Sequence, residues 1–378
     1  MFVHQEQLEH LLSPRDYHDA EVYQRERDAL FLPGWHFLAT KSELPQHGDF
    51  LTRDVLGEPL VVRNHQGQLH AYLNVCAHRH CRLTSEPRGH DEHFRCQYHG
   101  WEYQCDGRTA KIPDARCFRP FDRENARLVK FRTATWGDMT FVSLTDNGPS
   151  LEEYLGQMAD QGNHWLAPPH RFTRMWEWDY AANWKIVVEN TLESYHISCL
   201  HQKTLGRPPL EEHCEHLLED RYTTFHVPET FGWVSTIQNL LVRSLGGTVT
   251  NVYTHHHAHP HLWFIGMDVM RLVQMVLPTS PTTCRHRVWL YTLDGTRQNP
   301  WAWVVRPLLR WLVVRTARQI LLEDAPIFPR VQRGLEASRM PGVIGTREER
   351  LYVFQKYVRE QVSRSGGGVR GTVPLQLV

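Results

Sequence analysis

The sequence predicts an α+β protein in two parts: a small all-β domain, then a larger domain in which a sheet carries a long helix. Three observations carry this. Residues 35–144 read as short β-type runs separated by turns, among them 59–63 before Asn64-His65-Gln66-Gly67, then 69–75 and 139–144. Beyond residue 150, strand candidates (171–179, 223–231, 248–254 and 287–292) alternate with a helical stretch over 181–195. A mostly helical segment follows over 307–334, with a break or kink expected near Pro326 and Pro329. Taken in order, residues 17–31 read as a helix stopped by Leu32-Pro33-Gly34-Trp35, and Ser150 as the cap of another. The expected organisation is an N-terminal helix packing on the second domain (1–34), a β domain (35–148), that second domain (149–362) and a flexible, glycine-rich tail (363–378).

Composition narrows the function classes. Of 378 residues, 41% are hydrophobic and 22% charged, a globular balance. Lysine plus arginine (42) equal aspartate plus glutamate (42), so no whole-protein electrostatic attraction to nucleic acid is expected. The first residues lack a basic start followed by an apolar core, so no secretory signal is read and a cytoplasmic location is expected. The most apolar run, 301–322, contains Arg306, Arg310, Arg315 and Arg318, which argues against a membrane span. An interfacial helix is the second reading of that run, and a core-packed helix with an arginine-rich face is preferred. Eight cysteines in so long a chain do not make a disulfide scaffold. Cys105, Cys117, Cys199, Cys214 and Cys284 read as small buried residues. The outlier is histidine, at 25 residues.

Two constellations carry chemistry. Cys76-Ala77-His78 and, after 17 intervening residues, Cys96-Gln97-Tyr98-His99 offer two thiols and two imidazoles. Structural zinc accepts the same ligands, but zinc modules usually pair Cys with Cys and His with His. One of each per loop suits a [2Fe–2S] cluster with two thiolates on one iron and two imidazoles on the other. Further on, residues 183–201 contain Glu193, His196 and His201, the ionisable groups best placed to ligate or relay. Glu193 and His196 are three apart and share a face if helical.

Embedded in CAHRHCRLTSEPRG and CQYHGWEY, the first set resembles the Rieske domain of Rieske non-haem iron oxygenases. One departure is His80, where that family commonly has glycine. In respiratory Rieske proteins a cysteine placed like Cys81 bridges to one in the second loop, but Tyr98 stands there, so a free thiol is expected. Asn190, Glu193, Tyr195, His196 and His201 match the family's N-x-x-[D/E]-x-Y-H-x4-H motif, and residues 323–335 resemble its ED-x7-Q-x-G-L segment, with Gln332 and Gly334 in register.

The resemblance implies an oxygenase alpha subunit whose second domain is an antiparallel, helix-grip (START-like) fold. It implies a cluster held by Cys76, His78, Cys96 and His99, and mononuclear Fe(II) held by His196, His201 and Asp324, with Glu323 the alternative to Asp324. Glu193 falls on the carboxylate that bridges a Rieske histidine to an iron histidine, usually across a subunit boundary of a homotrimer. Electrons are expected from NAD(P)H through a separate reductase or ferredoxin, as no Gly-rich dinucleotide fingerprint is present. Glutamate at the bridge resembles the choline and carnitine monooxygenase branch. The implied reaction is hydroxylation or oxidative dealkylation of a small organic molecule, with a quaternary ammonium compound in view. Arene cis-dihydroxylation is the alternative; an electron-transfer or ligand-binding protein without working iron is the alternative from another class. The cluster of histidines from His255 to His261 reads as a pocket wall or polar strand, with metal binding the lesser reading.

Overall fold

A computed structural model of the chain describes residues 2–122, 124–156, 158–159, 170–228, 233–295 and 302–365. It divides into two compact units, Phe31–Ala159 and the combination of Met1–Leu30 with Asp160–Gly367. The expected boundary at 148/149 therefore moves to 159/160. The short helix Leu151–Leu155, whose Ser150 cap accepts from the Glu153 N–H at 3.1 Å, stays with the β unit through buried Leu151, Tyr154 and Leu155. Ser363, Arg364 and Ser365 end the helix Glu349–Ser365 rather than opening a tail, and the rest of the expected tail lies outside the described residues.

Among the described residues ten strands build the smaller unit: β1 (His36–Thr40), β2 (Asp49–Val55), β3 (Glu58–His65), β4 (Gln68–Leu73), β5 (Arg88–His90), β6 (Phe94–Arg95), β7 (Glu102–Tyr103), β8 (Thr109–Lys111), β9 (Arg132–Trp136) and β10 (Met139–Ser143). They pair as three antiparallel sheets, β1-β10-β9, β4-β3-β2-β5 and β6-β7-β8. The β3–β4 hairpin turns on Gln66-Gly67, both at positive φ, the conformation that a two-residue connection needs to match strand twist. Phe50, Val61, Tyr72, Phe94, Trp101, Tyr103, Ile112 and Leu128 form a core that also takes in Cys76 and Cys96.

Among its described residues the larger unit is built on a seven-stranded antiparallel sheet. Its strands are β11 (His170–Tyr180), β12 (Glu215–Leu218), β13 (Tyr222–Pro228), β14 (Val252–Ala258), β15 (Leu262–Gly266), β16 (Met270–Ser280) and β17 (Thr283–Leu293), in the order 11-17-16-15-14-13-12. The strand expected at 248 starts only at Val252. Thr250 and Asn251 before it are held by the Asp268 carboxylate, which accepts from both backbone N–H groups at 2.9 Å. Helix Trp184–Thr191 occupies part of the helical stretch expected at 181–195. It starts at Asn183, whose side chain accepts from the Lys185 N–H at 2.9 Å. Lys185 is fully buried because its Nζ donates to Glu26 Oε1 at 2.6 Å, while Glu26 Oε2 accepts from Trp184 Nε1 at 2.9 Å. That pair ties the N-terminal helix Ala20–Glu26 to this unit. The single helix expected over 17–31 is split into Pro14–Tyr17, Ala20–Glu26 and a wider turn, Arg27–Phe31.

Helix Ala302–Asp324 packs Leu309, Val313 and Ala317 against Trp176, Leu272, Val288 and Leu290 of the sheet. Core packing is confined to that stripe: Trp303 (78% exposed), Val304, Leu308, Trp311 and Leu312 face solvent. The chain breaks at Ala325-Pro326-Ile327, where proline lacks the N–H that would continue the helix, and resumes as Phe328–Ala337. Among the described residues no helix is long and apolar enough to cross a membrane. Of the cysteines read as buried, Cys117 and Cys199 are exposed, while all eight are free thiols. His255, His256 and His257 lie in β14 as a strand, but a buried one, between β13 and β15; His255 meets Arg350 and His257 meets Phe354 of the last helix, while His256 contacts Thr224 and His226 of β13.

Candidate metal centres

The two loops that carry the first set fold alike. In the β4–β5 connection the His80 N–H donates to Cys76 C=O at 3.0 Å; in the β6–β7 connection the Gly100 N–H donates to Cys96 C=O at 2.9 Å. Both closing residues take positive φ, 58° at His80 and 71° at Gly100. The histidine therefore adopts the left-handed conformation that glycine would take at less cost. Cys76 and Cys96 are buried and His78 and His99 half-exposed, so the thiols sit inward and the imidazoles outward. The two rings are 4.6 Å apart, and Trp101 stacks on His78 at 4.9 Å. His78 Nδ1 is buried with no protein partner, a lone pair free for a cluster iron. The thiols and imidazoles thus fit a [2Fe–2S] group.

The second set converges from separate segments. His196 and His201 flank the short helix Ile197–Leu200, and Asp324 closes the 23-residue helix Ala302–Asp324. His201 Nε2 lies 3.1 Å and His196 Nε2 3.8 Å from the same oxygen, Asp324 Oδ1, and the three donors fall within 4.8 Å of one another. That oxygen is buried and no donor is aligned on it as a hydrogen bond requires. Two nitrogens and one oxygen aimed at a common point fit a divalent iron, with the other side left open. Burial alone would lower the His201 pKa, but Asp324 and Glu323 outweigh it and raise it, so the pocket favours positive charge. The carboxylates also stand at the negative end of a helix, which adds to that preference.

The outer nitrogens are held with matching logic. Glu193 Oε1 contacts His196 Nδ1, and its other oxygen accepts from the Tyr195 and His196 N–H groups, the latter at 3.1 Å. Glu323 Oε2 accepts from His201 Nδ1 at 2.8 Å and from Thr204 Oγ1 at 2.6 Å. Each carboxylate favours the proton on Nδ1 and leaves Nε2 free to take a metal. Glu323, read from sequence as the alternative ligand, is turned instead towards the outer nitrogen of His201. Gln332 accepts from the Asn183 N–H at 2.8 Å and donates to Tyr17 C=O, bracing the start of the helix that leads to Glu193.

Sequence reasoning missed two groups. Tyr103 Oη lies 3.1 Å from Cys76 Sγ and accepts from the Ala77 N–H at 3.0 Å; only its place in the quoted CQYHGWEY stretch pointed to it. Thr204 had no signal at all, being three residues beyond His201 in an irregular turn.

A β domain offering two thiols and two imidazoles, with an antiparallel sheet domain offering a two-histidine, one-carboxylate set, defines the Rieske non-haem iron class. The chain belongs to the ring-hydroxylating alpha subunit family: residues 170–364 match its catalytic domain, and residues 34–130 match the Rieske [2Fe-2S] domain. It is 30% identical over 188 residues to the carnitine monooxygenase oxygenase subunit of Acinetobacter pittii, a match covering 49% of this chain and 51% of that one. To the anthranilate 1,2-dioxygenase large subunit of Acinetobacter baylyi it is 33% identical over 198 residues, 48% and 41% of the two chains. The matches thus span about half the length of these relatives or less. In fold it is similar to the quaternary ammonium Rieske monooxygenase CntA, with a TM-score of 0.74 at 22% identity over 94% of this chain and 95% of the other.

Proposed function

We propose that this protein is the oxygenase component of a two-component monooxygenase that hydroxylates or oxidatively dealkylates a small quaternary ammonium compound. The convergence of His196, His201 and Asp324 on one point, with Nδ1 of each histidine held by a carboxylate, is the observation that carries the oxygenase reading. When bound, the iron supplies a binding place for dioxygen and the [2Fe–2S] group a stored electron. The protein's own part is positional. Glu193 and Glu323 hold protons at the Nδ1 atoms, and the inward thiols and outward imidazoles of the Rieske set leave a histidine edge free to meet a carboxylate. Glu193 is the carboxylate we assign to that meeting, across the boundary of a homotrimer, with a separate reductase or ferredoxin supplying electrons.

Similarity to the carnitine monooxygenase subunit and glutamate at position 193 both support the substrate class. The anthranilate dioxygenase match favours arene dihydroxylation as the second reading. The deciding experiment is substrate-dependent oxygen uptake with a generic reductase, offering carnitine, betaines and simple arenes. Uptake with an amine-derived or aldehyde product supports the proposal. Uptake with arenes alone, giving cis-diols, replaces it by the second reading.

A further inference from the structure

A third set of metal-ligating side chains lies in the smaller unit, apart from both sets above. His47 precedes β2, His65 ends β3, and Cys105 sits in the turn after β7. One donor atom of each falls within 4.8 Å of the other two, and the imidazole centroids are 5.4 Å apart. Among the described residues this and the His196 set are the two such groups. The three segments are held independently of any ion. Buried Asn64 donates from Nδ2 to Leu44 C=O at 2.7 Å and accepts at Oδ1 from the Gly67 N–H at 2.8 Å, while its carbonyl accepts from the Gly48 N–H at 2.9 Å. That one residue ties the His65 hairpin to the His47 loop. The Cys105 turn is closed by Gln104 N–H to Arg108 C=O at 2.9 Å and Gly107 N–H to Gln104 C=O at 3.0 Å.

The donors are also chemically ready. His65 Nδ1 is buried and has no partner. Cys105 is buried, with its Sγ donating only to the Glu92 carbonyl at 3.2 Å. Burial raises the thiol's pKa; the positive charge of buried Arg63 opposes that, while Glu92, Asp106 and Asp91 add to it, so it is the cation itself that must displace the proton. His47 is exposed and accepts at Nδ1 from the Gln66 N–H at 3.2 Å, so ligation through Nε2 moves a proton to Nδ1 and exchanges that contact for water. A thiolate and two imidazoles exclude calcium and magnesium, which take oxygen ligands, and select a borderline cation of the zinc class.

We propose that His47, His65 and Cys105 form a second metal site of the Rieske domain, taking one zinc-class divalent cation with water in the fourth position. Binding forms a metal–thiolate bond, releases the Cys105 proton to solvent and involves no redox change. The site joins the strand β3 hairpin to the turn that follows Tyr103, so its cation staples the β-sheet to the arm that touches Cys76.

The test uses the protein loaded with iron and sulfide, equilibrated with Zn2+ and desalted. Wild type is expected to retain one zinc per chain above its Cys105→Ser variant, with the cluster absorption unchanged in both. At the zinc edge, X-ray absorption should show one sulfur at about 2.3 Å and nitrogen or oxygen at about 2.0–2.1 Å. His47→Ala, at an exposed position, should weaken zinc retention at least tenfold and serves if the cysteine variant does not fold. Equal zinc in wild type and variants, or a zinc shell without sulfur, overturns the site. Neither result bears on which substrate is oxidised, so this proposal and the functional one fail separately.

Discussion

Replacing Glu323 by glutamine separates a ligand from the group that orients a ligand. His201 is only 2% exposed, and its Nδ1 lies 2.8 Å from Glu323 Oε2, with Thr204 and Gln319 fixing the carboxylate. A hydrogen bond to a charged group in such a place contributes about 1.5–3 kcal/mol. Losing an outer partner of a metal-bound histidine lowers metal affinity about 10–100-fold, which is about 1.4–2.7 kcal/mol, so the two scales agree. Glu323→Gln should therefore weaken Fe(II) binding by that factor while the site still fills at high iron. Asp324→Ala, which removes a donor, should leave only the two cluster irons at any practical concentration. The assay is anaerobic Fe(II) titration, with iron counted against acid-labile sulfide. If Glu323→Gln abolishes the third iron and Asp324→Ala keeps it, the two carboxylates have been assigned the wrong way round. Unchanged affinity in Glu323→Gln refutes the orienting role.

Two further predictions concern the scaffold. Tyr103→Phe removes the hydroxyl beside Cys76 Sγ, and should lower the cluster's reduction potential by roughly 20–60 mV, one hydrogen bond's worth; a redox titration followed by electron paramagnetic resonance reads it, and an unchanged or higher potential refutes it. Burial, with Arg350 and His226 adding to it, pushes His256 down to about 4, and His259, His286 and His216 fall to about 3. These rings stay neutral when folded and protonate at their ordinary value once unfolded, so stability holds above about pH 6.5 and falls as pH drops towards 4. His256 alone should contribute about 3 kcal/mol to that loss, and His256→Leu should flatten the slope of urea-unfolding stability between pH 7 and 5. A slope identical to wild type refutes the assignment.

The order of the two domains, the β character of the first and a sheet carrying a long helix in the second were legible in the chain, because alternation, turn residues and short ligand spacings are local; that the sheet is antiparallel came only with the family resemblance. Cys76-x-His78 and Cys96-x2-His99 needed only a few residues each to be read, and the family resemblance extended that to the stretches around His196 and Asp324. Element edges were less legible. Whether Ser150 opens a second domain depends on what Leu151 and Tyr154 bury against, and Val252 starts its strand late because Asp268, distant in sequence, holds the two residues before it.

The amino-acid sequence by itself determined which side chains are available for chemistry and roughly which loops and helix ends carry them. Tertiary structure decided what each one faces. Glu323 and Asp324 are neighbours on one helix, about 100° apart around its axis, so one can reach an inner nitrogen while the other meets an outer one. The same reason governs the apolar helix Ala302–Asp324, where composition counts tryptophans and only packing tells that Trp303 and Trp311 lie outside the stripe that is buried. His47, His65 and Cys105 come from three separate segments with no common motif, and lie within reach of one another only in the folded unit, where Asn64 ties the His65 hairpin to the His47 loop.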